Sequence, residues 1–318
     1  MSALTACMQS QDCFSEEVFC AALVTDTRGL EDHGMNQETW AGLQEAQSGG
    51  LSDRVEYIES VDTRDYEKNI VFFAEQGVDV IFTIGPGMDD ETLRSADLYP
   101  DSVFVGISQP QKEARKNLIP VNFAEDQMGF LAGALAARLS GAGVVGAVCE
   151  TSDIDAMWRY CEGFNAGVKS VDENIKVLVF YRDDASRDDL FLDEVWGYET
   201  GQSLIQRGAD VIFAAGGATG EGALRAAMDG QVLAIGAERD QSAEGYGVVT
   251  SVYGSASFEV QEVMRMIQGE NLSEAGIGSF GYVPLNEKFS EGLTRELDSL
   301  LSALLNGEIQ TGVSREKP

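Results

Sequence analysis

The chain of 318 residues carries 53 acidic against 22 basic side chains, a formal net charge of −31, and 44% of it is apolar. That length leaves room for two domains with separate cores, and that charge argues against nucleic acid or an anionic membrane surface as a partner. No apolar run approaches the roughly 18 residues a spanning helix needs.

Residues 1–17 read as a polar tether. Within it Leu4-Thr5-Ala6-Cys7 looks like the lipobox of a bacterial-type lipoprotein, in which Cys7 becomes the lipidated first residue. Almost nothing apolar precedes it, the pattern expected if a signal peptide has been removed and Met1 supplied for expression. Cys13 and Cys20 lie close together in a polar stretch before the first strand, and in an exported protein that spacing predicts a small disulfide loop. Cys149 and Cys161 fall at a strand end and within a helix; they read as buried free thiols, with a disulfide as the alternative.

The first strand is predicted over 19–25 and ends at the polar loop Asp26-Thr27-Arg28-Gly29, before a helix over 36–46. A strand at 55–58, a helix at 66–75, a strand at 78–84, a further helix and a strand at 103–107 follow. These alternating units make a right-handed βαβ sheet the economical topology. After 118–123 the pattern restarts: helix 129–139, strand 143–148, helix 155–168 and strand 175–181. An acidic, aromatic connection holding Phe191 and Trp196 leads to a helix at 199–207.

Next comes GADVIFAAGGATGEGALRAA, from Gly208 to Ala227, a buried strand running into a glycine-rich turn and a helix. Gly216, Gly217 and Gly220 allow a tight turn and close approach of a ligand at the strand end where open α/β sheets bind small molecules. A weaker copy stands earlier, where Gly77, Asp79, Val80, Ile81, Phe82 and Gly85 repeat Gly208, Asp210, Val211, Ile212, Phe213 and Gly216. The doubling points to two similar α/β lobes. Strands at 232–237 and 248–252, a helix at 258–267, a short strand at 280–283 and a helix at 290–305 complete the chain.

Other chemistries fit poorly. The glycine turn lacks the Lys-Ser/Thr of a phosphate loop, and its spacing misses the dinucleotide fingerprint. His33 is the only histidine and has no partner motif for a triad or a metal site, so it reads as a solvated loop residue. The acids Asp183, Asp184, Asp188, Asp189, Asp193 and Glu194 do not match a calcium loop and read as a hydrated face. Glu125 and Asp126 stand at a helix start, where the helix dipole explains them more simply than a catalytic pair.

Seven positions of LVTDTRGLEDHGMNQETWAGL (Asp26, Gly29, Asp32, Asn36, Gln37, Trp40 and Gly42) carry a family resemblance, together with FAEDQMGFLAGALAA from Phe123, EGFNAG from Glu162, GADVIFAAGGATGEG, IGAERDQ from Ile235 and VTSV from Val249. In this order over about residues 18–305 they resemble the basic membrane lipoprotein family, the purine-nucleoside-receptor-like substrate-binding proteins of ABC importers. The resemblance implies an α/β, type I periplasmic-binding-protein fold: two Rossmann-like lobes that close by hinge motion on a ligand in the cleft. The expected division is 18–122 with 250–283 in one lobe and 123–249 with 284–312 in the other.

The binding residues it implies are Asp26 and Asn36, Gly85 at the first glycine turn, Glu125, Phe191 as an aromatic wall, Gly216 as a backbone contact, and Glu238 with Asp240 as acceptors for sugar hydroxyls. Three positions depart from the family pattern. Met35 replaces a stacking Phe, Glu238 replaces an Asp, and Gly254 replaces a Lys that would donate to a hydroxyl. A Met still covers an aromatic face, and Trp196 either adds aromatic surface or belongs to the core. The implied function is an extracytoplasmic, lipid-anchored monomer that needs no cofactor or metal and hands a nucleoside to ABC permease and ATPase subunits. The alternatives are a binding protein for a sugar or other hydroxylated molecule, a sensory receptor, and an enzyme acting on nucleosides.

Overall fold

The computed structural model describes residues 13–318 apart from 33, 110, 112, 187–188, 243–246, 270–277 and 286–287. Cys7, His33 and Asp188 therefore lie outside the described residues. In chain order the elements are β1 (Cys20–Val24), α1 (Met35–Ser48), β2 (Arg54–Ile58), α2 (Tyr66–Ala74), β3 (Val80–Ile84), α3 (Asp89–Leu98), β4 (Val103–Ile107) and β5 (Leu118–Val121). They continue with α4 (Glu125–Leu139), β6 (Val144–Cys149), α5 (Asp155–Val171), β7 (Lys176–Tyr181), α6 (Glu194–Gln206), β8 (Val211–Ala215) and α7 (Gly217–Asp229). The last are β9 (Leu233–Ala237), β10 (Thr250–Gly254), α8 (Ala256–Gln268), β11 (Phe280–Tyr282) and α9 (Glu291–Leu305).

The chain divides into two compact units. The first takes the described residues of Met1–Glu31, Asn36–Asn122 and Ala256–Gly276. Its sheet runs β2-β1-β3-β4-β5, with every pair parallel. β1 and β3 are buried along their whole length, as apolar runs covered on both faces must be. Ile70 and Phe73 of α2, Met88 and Phe104 join Ala22, Val24 and Ile81 in one core cluster. Across from this sheet core, α8 lies so close on α1 that a Cβ at Gly42 would stand 2.7 Å from Ser257 Cα.

The second unit takes the described residues of Asp32–Met35, Phe123–Ser255 and Ile277–Pro318. Its sheet runs β11-β10-β9-β8-β6-β7, parallel except for the β10–β11 pair. Here the structure corrects the expected division. Of the span 250–283, β10 pairs with β9 and β11 with β10, so both strands extend the second sheet, and α8 alone joins the first unit. Thr250–Val252 runs in register with Ile235–Ala237.

The family-like motifs GFLAG and EGFNAG have a packing role. α4 and α5 touch backbone to backbone: a Cβ at Gly133 would stand 2.0 Å from the Phe164 carbonyl oxygen, and one at Gly167 2.0 Å from that of Phe130. Only glycine allows such approach. α4 also begins at Glu125, earlier than its apolar pattern predicts, because Glu125 and Asp126 favour its N-terminus.

The Cys13–Cys20 disulfide forms, with Cα atoms 5.7 Å apart. Cys149 and Cys161 are bonded as well, at 6.2 Å, against the expectation of free thiols. Cys149 ends β6, and α5 folds back over that strand end with Cys161 on its buried side. A loop of this size contributes about 3 kcal/mol by restricting the unfolded chain.

Candidate functional site

In the first unit the C-terminal ends of β1 and β3 bring Asp26, Asn36 and Gly85 together. Asn36 Nδ2 donates to Asp26 Oδ1 at 2.8 Å, and the Asp26 amide donates to Asn36 Oδ1 at 3.2 Å. Gly85 has φ 86°, and a Cβ on it would stand 3.4 Å from Asp26 Oδ2. Arg28 completes the group and was missed by sequence reasoning. Its Nη2 lies 2.7 Å and its Nε 2.8 Å from Asp26 Oδ2, while its amide donates to Oδ1 at 3.0 Å. The signal was local: Asp-Thr-Arg in a loop lets the acid accept from the backbone two residues on. Asp26 is thus a fixed acceptor whose charge Arg28 balances. Gln109, fully buried past the end of β4, was also missed; its Nε2 donates to Thr83 Oγ1 at 3.0 Å.

In the second unit Gly216 and Glu238 form one structure. Glu238 follows β9 with φ 73°, and its Oε2 accepts from the amides of Gly216 at 2.9 Å and Gly217 at 2.8 Å. It supplies the negative charge at the head of α7, whose own first turn has no acid. The Gly216 carbonyl accepts from the Gly220 amide at 3.3 Å. Both polar backbone groups of Gly216 are therefore engaged inside the unit, and what the residue contributes is closeness.

Phe191 also reaches this corner. It has φ 67°, its carbonyl accepts from the Ala218 amide at 3.0 Å, and a Cβ at Gly217 would stand 3.2 Å from Phe191 Cβ. Two residues with side chains in the left-handed region, Phe191 and Glu238, flank one glycine turn, and such strain gathers at functional sites.

Glu150, directly after β6, was missed. It is fully buried, and its Oε1 accepts from Arg182 Nη1 at 3.2 Å. Burial pushes its pKa up, against the Thr219 hydroxyl, the Phe191 amide and Arg182, which lower it. Arg182 also binds Asp193 Oδ2 at 2.8 Å and the Asp189 carbonyl at 2.9 Å, so one guanidinium holds the segment carrying Phe191. A single acid after a strand has no pattern that marks it as buried.

The remaining expected residues fall elsewhere. Glu125 is buried and committed to Arg159 of α5, whose Nη2 lies 2.6 Å from Oε2. Burial raises its pKa and Arg159 works against that rise. Arg159 further donates to the Arg315 carbonyl at 2.6 Å, and Thr311 Oγ1 donates to Asp126 Oδ2 at 2.5 Å, which fastens the C-terminal segment to α4 and α5. Asp240 is exposed and accepts from the Ser242 amide at 2.8 Å in a local turn. Trp196 lies in α6, which starts earlier than predicted because Asp193 caps it, and packs on the second unit's core. Met35 belongs to the second unit and Asn36 to the first. Gly254 leaves no room for the missing lysine, since a Cβ there would stand 2.3 Å from the Phe123 ring.

The acidic run is more than a hydrated face. Asp183 accepts from the Ser152 amide at 2.7 Å and from the hydroxyls of Ser152 at 2.9 Å and Thr151 at 3.1 Å. Among the described residues no group of three or more acids, histidines or cysteines is placed to hold a metal ion.

The family profile of PnrA-like ABC transporter substrate-binding proteins matches residues 19–302. A CD4+ T-cell-stimulating antigen of Listeria innocua is 31% identical over 253 residues, 74% of this chain and 67% of that protein. The ABC transporter nucleoside-binding protein BmpA of Lactococcus lactis subsp. cremoris is 30% identical over 235 residues, 70% of this chain and 64% of that protein. These alignments span about two thirds of each relative's length. Among solved structures, a solute-binding protein of an ABC transporter system from Aeropyrum pernix K1 superposes with a TM-score of 0.76 at 18% identity, covering 92% of both chains.

Proposed function

Because the chain belongs to the Bmp family of PnrA-like ABC transporter substrate-binding proteins, we propose that it captures a nucleoside outside the cytoplasm, a purine nucleoside in preference, and delivers it to an ABC permease and its ATPase. The observation that carries the ligand class is the corner of the second unit where Phe191 and the Glu238 carboxylate flank one glycine turn. An aromatic face suits a planar base, and a carboxylate suits ribose hydroxyls. Asp26, held by Arg28 and Asn36, is the corresponding acceptor of the first unit. The similarity to a protein named for nucleoside binding supports the same class. Leu4-Thr5-Ala6-Cys7 supports a lipid anchor at Cys7. The work is binding and release, with no group required to turn over.

Isothermal titration against purine and pyrimidine nucleosides tests the ligand. Binding of purine nucleosides in preference to pyrimidine ones is expected, and no heat from any member overturns the assignment. A sugar or other hydroxylated molecule is the second reading, because Gly254 stands where the family pattern has a lysine and Phe123 packs against it, which weakens the case for a nucleoside.

A further inference from the structure

In the second unit the fully buried Glu150 carries a carboxylate oxygen, Oε2, that lacks a hydrogen-bond partner among the described residues. The Thr219 hydroxyl and the Phe191 amide stand near enough to lower the pKa, yet neither completes a bond to that oxygen. Arg182, the cation it contacts among the described residues, serves Asp193 as well, so two carboxylates share a single guanidinium and the group keeps an excess of negative charge. A buried acceptor left in this state is costly, and donors from outside the chain relieve it.

Its position says where such a donor would come from. Glu150 follows the end of β6, beside β8, and Gly216 is pressed against it: a Cβ at Gly216 would stand 2.8 Å from Glu150 Cβ and 3.0 Å from its amide nitrogen. The same guanidinium that binds Glu150 holds the carbonyl of Asp189 and the side chain of Asp193 on either side of Phe191. The orphan oxygen, Phe191, whose Cβ lies against Gly217, and the glycine turn therefore share one corner at the carboxyl ends of the strands, where open α/β sheets take ligands.

We propose that Glu150 is a specificity-determining residue whose Oε2 accepts one N–H from the edge of a base lying against Phe191. This rests on the nucleoside reading above. One available oxygen accepts one donor, so the site discriminates between bases that present an N–H at that edge and those whose nitrogen is blocked.

Binding constants for inosine, 1-methylinosine, adenosine and N6,N6-dimethyladenosine decide it, measured on the wild type and on Glu150→Gln, with near-ultraviolet circular dichroism confirming that the variant is folded. Methylation is expected to weaken binding to the wild type by about 10-fold or more for at least one pair, as for a bond to a charged acceptor, and to weaken binding to Glu150→Gln far less for that pair. Wild type and variant that respond alike to methylation overturn the proposal, as does a variant that weakens all four ligands by one common factor, the mark of a purely structural strut. A wild type that binds no nucleoside but is stabilised by another hydroxylated compound overturns the nucleoside reading by itself. For that compound, unchanged affinity in Glu150→Gln overturns the role of Glu150 too, and loss of affinity sustains it as an acceptor for a different donor. A wild type that binds nothing overturns both.

Discussion

The two glycine turns begin from the same sequence pattern and end as different devices. In the first unit β3 ends at Gly85, whose amide donates to the Ile107 carbonyl at 2.9 Å, and a short turn intervenes before α3, whose first turn carries Asp89, Asp90 and Glu91. In the second unit α7 starts directly after Gly216 without an acid of its own, and Glu238 arrives from the next strand to cap it. One helix brings its counter-charge in sequence and the other obtains it by fold. The second arrangement gathers Glu150, Phe191 and Glu238 around a single turn, so a repeated motif comes to have one crowded copy and one open copy.

The largest test of that contrast is steric. At Gly216, with φ 122°, a Cβ meets Glu150 Cβ at 2.8 Å, whereas at Gly85, with φ 86°, the nearest atom is the Asp26 carboxylate at 3.4 Å. Gly216→Ala is expected to destabilise the protein by about 4 kcal/mol, from strain plus overpacking, and Gly85→Ala by about 1–2 kcal/mol, from backbone conformation alone. Denaturant titration of both variants checks this, and equal losses would dissolve the distinction between the copies.

The source of the counter-charge comes next. Glu238→Ala removes an acceptor from two helix-end amides and is expected to cost about 2 kcal/mol. Asp90→Ala, an exposed acid among neighbours that share its task, is expected to cost about 0.3–1 kcal/mol. The difference in melting temperature between the two variants reads this directly; a costlier Asp90→Ala would mean that α7 does not depend on Glu238.

Much of this organisation was legible in the chain, and the reason is local. Val80–Ile84 and Val211–Ala215 are apolar runs followed by glycine, and that pattern alone marks buried strands with strand-end turns. Asp26 and Asn36 were implied by the family resemblance, and because both lie in one loop-to-helix segment their side chains reach each other. What could not be read depended on separate strands meeting. Glu150 is an unremarkable acid until Arg182, Thr219 and Phe191 surround it, and Gly216 read as a backbone contact for a ligand although its amide is taken by Glu238. Cys149 and Cys161 became partners because α5 passes over the end of β6, a fact of packing. Within 250–283 the strands β10 and β11, though not α8, were misassigned for the same reason, since their ladder partners are not written in their own residues.

The finest test sets two acids of the crowded copy against each other, because the fold moves them in opposite directions. For Asp183 burial alone would raise the pKa, but the Ser152 amide and the hydroxyls of Ser152 and Thr151 outweigh it and hold it below its ordinary value. Its stabilisation is present above the unfolded carboxylate range, near 3.8, and is lost as pH falls through the folded value. For Glu150 burial dominates and the folded value is raised. The native state then keeps a proton that the unfolded chain releases, so the stability this residue contributes declines as pH rises above about 4.5, the ordinary value. Stability curves measured from about pH 3 to 8, across the ordinary carboxylate range and above it, should therefore diverge in opposite senses. Asp183→Asn should fall behind the wild type as pH rises and rejoin it in acid, while Glu150→Gln should gain on the wild type over the window just above 4.5. Parallel curves for Glu150→Gln would mean that Arg182 neutralises the buried carboxylate in full, and the crowded turn would then carry no excess charge for a ligand to meet.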